Sequence, residues 1–229
     1  MSEIIRLEDI RKVYGRETHR DSVEVLSGVN LSVRRGGTVS VSGPSGSGKS
    51  TLLNIMGALT RPTDGRVFFR SREISGLSDK ELSVMRNRKI GFIFQMHHLL
   101  PQCSVIENVL IPTLPYPEKS RMEYLKDAAA LLESVGLSGR AGHKPSELSG
   151  GERLRTAVAR ALINRPEVIL ADEPTGSLDA ASADEVGRLI LEQNRERDIA
   201  LVVVTHSRRL AALMSDKYLL KNGSLEKAD

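Results

Sequence analysis

The residues from Gly43 to Ser50 read G-P-S-G-S-G-K-S and match the phosphate-binding pattern G-x-x-x-x-G-K-[ST]. Glycines allow the backbone to curl so that successive N–H groups point at phosphate oxygens, and a helix that follows presents its positive end to the same anion. Lys49 would reach the β- and γ-phosphates of a nucleotide, and the Ser50 hydroxyl would bind Mg²⁺. At ordinary residue frequencies a chain of this length contains the pattern by chance about once in a hundred, so we predict a nucleoside triphosphate site.

Two adjacent carboxylates follow the aliphatic run Val168–Ala171. Ligands of open α/β sheets bind at the carboxyl ends of the strands, where Asp172 would hold Mg²⁺ through water. Glu173 would then polarise an attacking water as general base. Alone, an acidic pair after a strand is more often a helix cap or a turn. The phosphate loop upstream favours the catalytic interpretation.

A second candidate anion site lies in the sequence L-S-G-G-E-R at Leu148–Arg153, just before a helical pattern. Ser149 and the N–H groups of Gly150 and Gly151 would bind an anion at the start of that helix. The same residues also suit an ordinary capped helix start, and both interpretations remain open. Two phosphate-binding devices about 100 residues apart in one chain require an explanation.

Hydrophobic periodicity places these motifs at the ends of alternating strands and helices. Strands are predicted over Ile4–Ile10, Val23–Val33, Thr38–Ser42, Arg66–Arg70, Ile90–Phe94, Glu167–Ala171 and Ile199–Val204. Helices are predicted over Lys49–Leu59, Asp79–Arg88, Val105–Leu110, Ser120–Val135, Gly151–Asn164 and Ser182–Glu196. Continuous aliphatic strands between helices indicate a parallel sheet that is covered on both faces. Gly15–Ser22 is predicted as a loop, and Asn222-Gly223 as the turn of a hairpin.

Between Gln95 and Pro166 helix-like segments dominate and prolines interrupt them. The length of 229 residues favours one large domain or one domain with an insertion. We therefore predict a single domain over residues 1–229, in which a helical segment, 95–165, is inserted between the core parts 1–94 and 166–229.

The composition excludes several classes of protein. The formal charge of +4 is too small to indicate a nucleic-acid partner, although it suits phosphate ligands or an anionic membrane surface. The single cysteine, Cys103, excludes an intramolecular disulfide framework and fits a reducing compartment. The aliphatic run Ile199–Val204 is far shorter than the roughly 20 residues that span a bilayer, and the first residues lack the pattern of a signal peptide. We expect a cytosolic chain that binds no nucleic acid.

Six elements, in this order and spacing, resemble the nucleotide-binding subunit of an ATP-binding cassette (ABC) transporter over essentially the whole chain. They are Gly43–Ser50, Gln95, Leu148–Glu152, Asp172-Glu173, Ser177–Asp179 and His206. The resemblance implies an α/β fold, with a P-loop NTPase (RecA-like) parallel-sheet core, an N-terminal antiparallel β subdomain and an inserted α-helical subdomain. It also implies an ATP-sandwich homodimer, in which Ser149 of one copy covers the γ-phosphate held by Lys49 of the other.

The resemblance assigns further roles one residue at a time. Tyr14 would stack on adenine, although a tyrosine at a strand end also suits core packing. Gln95 would contact Mg²⁺ or the attacking water, and His206 would hydrogen-bond the γ-phosphate. Asp179 would lie at the dimer seam. The residues expected to bind ATP are Tyr14, Gly43, Pro44, Ser45, Gly46, Ser47, Gly48, Lys49, Ser50, Thr51, Ser149, Gly150, Gly151, Glu152 and Asp179. The expected Mg²⁺ ligands are Ser50, Gln95 and Asp172, and the expected catalytic residues are Lys49, Gln95, Glu173 and His206.

Within the family, Phe94–Pro101 and Leu148–Arg153 are most similar to the branch of lipoprotein-release, macrolide- and toxin-export and cell-division ATPases. The lipoprotein-release subunits resemble this chain most. That implies a motor on the cytoplasmic face of the inner membrane, acting through integral membrane subunits. A cell-division ATPase that regulates cell-wall enzymes is the alternative. Three positions depart from the common residues of the family: Glu152 and Leu154 replace glutamine, and Ser207 replaces aspartate.

The surface that meets the membrane partner is predicted within the helical segment. Met96, Leu99, Leu100 and Val105 would line a groove for a short helix of that partner, or would pack internally. A DNA-repair or chromosome ATPase of the same superfamily is disfavoured, because it needs a long coiled coil or a zinc insertion between the two nucleotide motifs. Only about 100 residues and one cysteine are present here.

Overall fold

The computed structural model describes residues 2–15 and 22–228 and contains two sheets with helices around them. The strands are β1 (Glu3–Tyr14), β2 (Val23–Arg34), β3 (Thr38–Ser42), β4 (Asp64–Phe69), β5 (Arg72–Glu73), β6 (Ile90–Ile93), β7 (Val168–Asp172), β8 (Ala200–Val204), β9 (Asp216–Lys221) and β10 (Ser224–Ala228). The helices are α1 (Lys49–Met56), α2 (Asp79–Lys89), α3 (Val105–Leu110), α4 (Arg121–Ser134), α5 (Gly150–Leu162), α6 (Ala180–Arg197) and α7 (Arg208–Ala212). The alternation of strands and helices confirms the predicted α/β class.

The larger sheet has the strand order β10-β9-β3-β8-β7-β6, and its neighbours from β9 to β6 run parallel. All five residues of β8 are buried, as expected for a strand covered on both faces. Because the carboxyl ends of parallel strands share one edge, Gly43, His206, Asp172 and Gln95 emerge along the same edge of the sheet. With strands about 4.8 Å apart, this edge brings four predicted site residues within about 15 Å.

The smaller sheet is antiparallel, with the order β2-β1-β4-β5. Ile5 and Leu26 of this sheet share one buried cluster with Leu52 of α1 and Val202 of β8. β1 extends to Tyr14, beyond the predicted end at Ile10, because its last residues continue to pair with β2. Of the predicted loop Gly15–Ser22, residues 16–21 lie outside the described part of the chain.

Between β6 and β7 the chain forms only helices and short 3₁₀ turns. Val105 of α3 and Leu154 of α5 share a buried cluster with Ile169 of β7. Val105 is fully buried, so the expectation that it lines a surface groove is wrong, and internal packing explains it. Met96 and Leu100, by contrast, are 76% and 41% exposed. The domain division at residues 95 and 165 stays a prediction.

Several element ends differ from the sequence-based bounds. α1 ends at Met56 rather than Leu59, because Ala58 has a φ of +53°, which a right-handed helix does not contain. β5 and α7 were not predicted, because two and five residues are too short to show a period. The hairpin turn at Asn222-Gly223 is confirmed between β9 and β10. Within residues 2–15 and 22–228, no helix combines the length and the apolar character that a membrane span requires.

Candidate nucleotide-binding site

The phosphate loop connects β3 to α1. Gly48 caps α1 with a φ of +99° and no side-chain hydrogen bond, so the first N–H groups of the helix have no capping side chain. Lys49 is 7% exposed, and its Nζ donates hydrogen bonds to the carbonyl oxygens of Gly43 (3.0 Å) and Pro44 (2.9 Å). The ammonium group is therefore held against the loop that would surround a phosphate.

Two glycines of this loop are required by close contacts as well as by φ. At Gly43 (φ +153°) a Cβ would lie 2.2 Å from the Leu220 carbonyl oxygen. At Gly48 a Cβ would lie 2.8 Å from Val25 Cγ1 and 2.9 Å from the Val25 carbonyl oxygen. Strands β2 and β9 thus pack closely against the outer side of the loop, which leaves room only for glycine at these two positions.

Glu173 and His206 meet at the carboxyl ends of β7 and β8. The backbone N–H of His206 donates to Glu173 Oε2 at 3.0 Å, and His206 Nε2 lies 3.4 Å from Glu173 Oε1. Glu173 has a φ of +45°, an uncommon conformation for a residue with a side chain. Its Oε1 is buried and has no hydrogen-bond partner among the described residues. One carboxylate oxygen is therefore anchored by a hydrogen bond, and the other is buried without one.

Gln95 approaches the same place from β6. A Cβ added at Gly176 would lie 3.5 Å from Gln95 Nε2 and 3.7 Å from the Cβ of Glu173. Asp172, the last residue of β7, is half-buried and pairs in register with Val204 of β8. The structure therefore gathers Gln95, Asp172, Glu173 and His206 at one edge, beside the strand that leads to the phosphate loop.

Ser149 begins α5 through a reciprocal pair of hydrogen bonds. Its Oγ accepts from the Glu152 N–H at 3.2 Å, and Glu152 Oε2 accepts from the Ser149 N–H at 2.8 Å. Glu152 Oε1 also lies 3.0 Å from Arg140 Nε. The hydrogen bond from the Ser149 N–H and the Arg140 guanidinium lower the pKa of the Glu152 carboxyl to about 2. The carboxylate is therefore ionised at neutral pH.

The same capping box begins three other helices, at Ser78, Ser104 and Ser120. A cap of this kind therefore does not by itself identify a ligand site. α5 differs because its first two residues are Gly150 and Gly151, whereas the other three helices carry side chains there. Among these four helices, only α5 has no side chains of its own beside its first two N–H groups, and Leu178 packs against Gly150.

Asp179 is the cap of α6, where its carboxylate accepts hydrogen bonds from the N–H groups of Ala181 (3.1 Å) and Ser182 (3.0 Å). The segment before α6 touches the start of α5, since a Cβ at Gly150 would lie 2.9 Å from Leu178. Ser149 and Asp179 thus form a second group of predicted site residues, distinct from the first group that contains Lys49, Glu173 and His206. Among the described residues no hydrogen bond joins that group to Lys49, Glu173 or His206. The predicted site residues thus fall into two groups that share no hydrogen bond in the described part of the chain.

Tyr14 lies at the last position of β1 and is 44% exposed, with Lys12 Nζ 5.0 Å from its ring centre. Packing in the core is therefore not its role. An exposed aromatic face remains available for stacking.

A protein-family model described as ABC transporter matches residues 26–176, which is more than half of the chain. The matched range contains all of the predicted site residues except Tyr14, Asp179 and His206. The chain belongs to the ABC transporter family. Members of this family hydrolyse ATP, and the chain is an ATPase of this kind.

Relatives match the ABC cassette along nearly its whole length. The lipoprotein-releasing system ATP-binding protein LolD of Oleidesulfovibrio alaskensis is 46% identical over 222 residues, covering 97% of this chain and 95% of the relative. LolD of Geobacter metallireducens is 47% identical over 223 residues, covering 97% and 98%. The dimeric structure of an ATP-binding cassette in a post-hydrolysis state, bound to ADP and Pi, superposes with a TM-score of 0.88 at 39% identity and covers 98% of both chains. The predicted fold class is confirmed.

Arg160 is a residue of the ABC cassette that the sequence reasoning did not identify. Its guanidinium donates hydrogen bonds to the carbonyl oxygens of His98 (2.6 Å) and His97. Both histidines have positive φ values, +49° and +60°, which are costly for residues with a Cβ. Arg160 therefore fixes the backbone just after Gln95 and ties it to the helix that begins at Ser149. The available signal was an arginine within an otherwise apolar helical run, which must find polar partners.

We expect Arg160→Met to lower kcat for ATP about tenfold while the KM for ATP stays within about twofold, since a small displacement of a positioned group slows catalysis strongly. Steady-state ATPase assays on the assembled transporter measure both constants. Arg155→Met is the matched control, because Arg155 lies on the same helix and pairs with Glu185 instead. A raised KM with an unchanged kcat would contradict the positioning role.

Proposed function

We propose that this chain is the ATP-hydrolysing subunit of a transporter that releases lipoproteins from the inner membrane, and that it is bound to the cytoplasmic face through integral membrane subunits. The observation that carries the proposal is its 46–47% identity over 97% of its length to proteins named as lipoprotein-releasing system ATP-binding proteins. The division of the site residues into two groups supports a motor that works only when two copies meet.

In this proposal ATP binds along the loop between β3 and α1. Lys49 Nζ exchanges the carbonyl oxygens of Gly43 and Pro44 for phosphate oxygens, and the loop N–H groups hold the same phosphates. Tyr14 offers its exposed ring to the adenine. Thr51 follows Ser50 in the first turn of α1, where the helix dipole favours negative charge.

The residues at this edge fit a magnesium ion. Mg²⁺ prefers oxygen ligands, and the Ser50 hydroxyl, the Gln95 amide oxygen and the Asp172 carboxylate supply these. Ser50 and Gln95 are exposed and Asp172 is half-buried, so all three are accessible from the edge. When bound, the ion neutralises charge on the β- and γ-phosphates.

Glu173 acts as the general base. Its Oε2 is held by the His206 N–H, and its buried Oε1 accepts a proton from the attacking water. The water oxygen bonds to the γ-phosphorus, and the bond to the β–γ bridging oxygen breaks to give ADP and phosphate. His206, half exposed beside Glu173, donates a hydrogen bond to the γ-phosphate and keeps the water in line. Lys49 stabilises the charge that remains on the transferred group.

The second group of residues serves the ATP of a second copy. Ser149 and the N–H groups of Gly150 and Gly151 would cover the γ-phosphate bound by Lys49 of that copy, and Asp179 would lie at the seam. The two groups share no hydrogen bond within the described part of one chain, which supports this arrangement, as does the similarity to a dimeric cassette bound to ADP and Pi. Two ATP molecules would then hold an isologous dimer together.

A cleft of about 330 Å³ between the parallel sheet and the helical segment is the proposed contact for a membrane subunit. Leu59, Phe94, His98, Ile111 and Arg160 are among the residues that line it. Because the cleft is lined both by His98 of the loop after Gln95 and by Arg160, which binds that loop, a helix seated there would sense the state of the nucleotide site.

The test is ATP-dependent release of an acylated lipoprotein from proteoliposomes that contain this chain and its membrane subunits. We expect Lys49→Ala to reduce release to the level without ATP, because losing a charge-assisted hydrogen bond costs roughly 1.5–3 kcal/mol in ATP binding and removes a catalytic charge. Lys126→Ala, a substitution of an exposed lysine on α4, should leave release unchanged.

Hydrolysis without release by the intact assembly would overturn the lipoprotein assignment and favour regulation of cell-wall enzymes through the membrane partner. Full release by the Lys49→Ala assembly would overturn the phosphate-loop assignment.

A further inference from the structure

A groove of about 910 Å³ is used by none of the proposed roles. It lies between the β4–β5 hairpin and α2. Its apolar floor is formed by Phe69, Ile74, Leu77, Val84 and Met85. Lys89 and Glu167, which precede β6 and β7, also line it, so it opens at the amino-terminal edge of the parallel sheet. The nucleotide site lies at the opposite edge.

The rim of this groove is strongly positive. Five cationic side chains line it, and they are Arg70, Arg72, Lys80, Arg88 and Lys89. Two carboxylates, Glu81 and Glu167, lie among them, and Glu118 pairs with Arg88 at 3.0 Å, which leaves a net charge of +2. Such a rim attracts an acidic partner.

The charges flank the apolar floor along α2. Lys80, Val84 and Arg88 are spaced four residues apart and therefore lie on one face of the helix, with the apolar residue in the middle. Lys80 and Arg88 are about 12 Å apart along the axis. A lipid with a single anionic head group would pair with only one of the two cations, Lys80 or Arg88. A peptide with an apolar residue between two acidic ones would pair with both cations and place its apolar side chain on Val84.

Ion pairs hold most of the rim in place. Glu167 lies 2.7 Å from Arg70 and 2.9 Å from Lys89, and Arg72 lies 3.3 Å from Glu81. Each arginine retains further N–H donors, because a guanidinium has five. Among the described residues Lys80 has no carboxylate within ion-pair distance. The rim is pre-ordered and still able to bind anions.

We propose that this groove binds an acidic amphipathic segment of the membrane subunit, separate from the helix that occupies the cleft. The inference rests on the proposed function. Arg86 and Asn87 of α2 line the cleft while Val84 and Arg88 line the groove. The two surfaces are thus on two sides of one helix, roughly 10–12 Å in diameter. A subunit seated in the cleft reaches the groove with a short extension, and the two contacts together raise its effective affinity.

The test uses the complete transporter in its membrane, with the photo-crosslinking residue p-benzoylphenylalanine placed at Ser71 or Val84 of the groove, or at Leu59 of the cleft. We expect Ser71 and Val84 to crosslink to a membrane subunit, at a segment with acidic residues on both sides of an apolar one. Crosslinks to lipid alone, or none while Leu59 crosslinks, would overturn the groove proposal and leave the proposed function standing. Absence of any crosslink from Leu59 would instead count against the membrane contact itself.

Charge reversal provides the second measurement. Arg72→Glu with Lys80→Glu should lower the crosslinking yield from Val84 at least fivefold and leave the yield from Leu59 unchanged. Arg121→Glu with Lys126→Glu, which makes the same charge change on the exposed side of α4, should alter neither yield. An equal loss of the Val84 crosslinking yield with both double substitutions would overturn the proposal. The effect would then depend on the net charge of the chain and not on the groove.

Discussion

Glu173→Gln should lower steady-state ATP hydrolysis by at least about 100-fold while ATP binding persists, which is the effect expected from losing a general base. Glutamine has nearly the same shape, and its side-chain oxygen still accepts a hydrogen bond from the His206 N–H. It does not accept a proton from water at the position of the buried Oε1. The bound triphosphate would therefore persist and hold two copies together.

Two measurements check this expectation: phosphate release over time, and molar mass by light scattering with and without Mg-ATP. The variant should be dimeric with Mg-ATP and lose the dimer when ATP is removed. Glu133→Gln on the exposed surface of α4 is the matched control and should hydrolyse ATP like the parent chain. Turnover of the Glu173→Gln protein at the parental rate would refute its role as base.

The core of the site was predictable because its physics is local. Three glycines and two serines among the six residues before Lys49 have one strong explanation, a turn around an anion. The β-branched run Thr38–Ser42 and the aliphatic run before Asp172 predict buried parallel strands. Carboxyl ends of parallel strands then meet at one edge by topology alone. The position of His206 beside Glu173 follows from the same rule, since β7 and β8 are neighbours.

What the sequence did not predict depends on contacts between distant segments. The left-handed conformation of Glu173 carries no local signal, and neither does the clamp of Arg160 on His97 and His98. Val105 was predicted to line a surface groove and is buried in the core instead. An apolar residue suits either place, so its type alone does not distinguish them. At Gly57 a Cβ would lie 2.5 Å from the ring of Phe92, which is 35 residues further along the chain.

Glu152 shows how a departure from the common family residue is accommodated. A negative charge near a γ-phosphate would be repulsive, yet this carboxylate accepts the Ser149 N–H and pairs with Arg140. Its charge is therefore compensated within the chain by Arg140 and by the positive end of the helix dipole. The first two residues of the helix, Gly150 and Gly151, carry no side chains of their own.

Ser149→Arg should abolish the ATP-dependent dimer and reduce hydrolysis at least about 100-fold, while the isolated chain binds ATP as before. The arginine side chain would occupy the space that the γ-phosphate of the second copy needs. That phosphate would also lose its pre-arranged hydrogen-bond donors. The substitution also removes a helix cap, which costs about 1 kcal/mol of stability. Ser120→Arg separates the two effects, since Ser120 caps α4 with the same reciprocal bonds to Glu123. Both variants should lose similar stability in thermal unfolding, and only Ser149→Arg should stay monomeric in a Glu173→Gln background with Mg-ATP. A Ser149→Arg chain that still dimerises would show that the second group does not face the partner's nucleotide, even if Lys49 and Glu173 act as proposed.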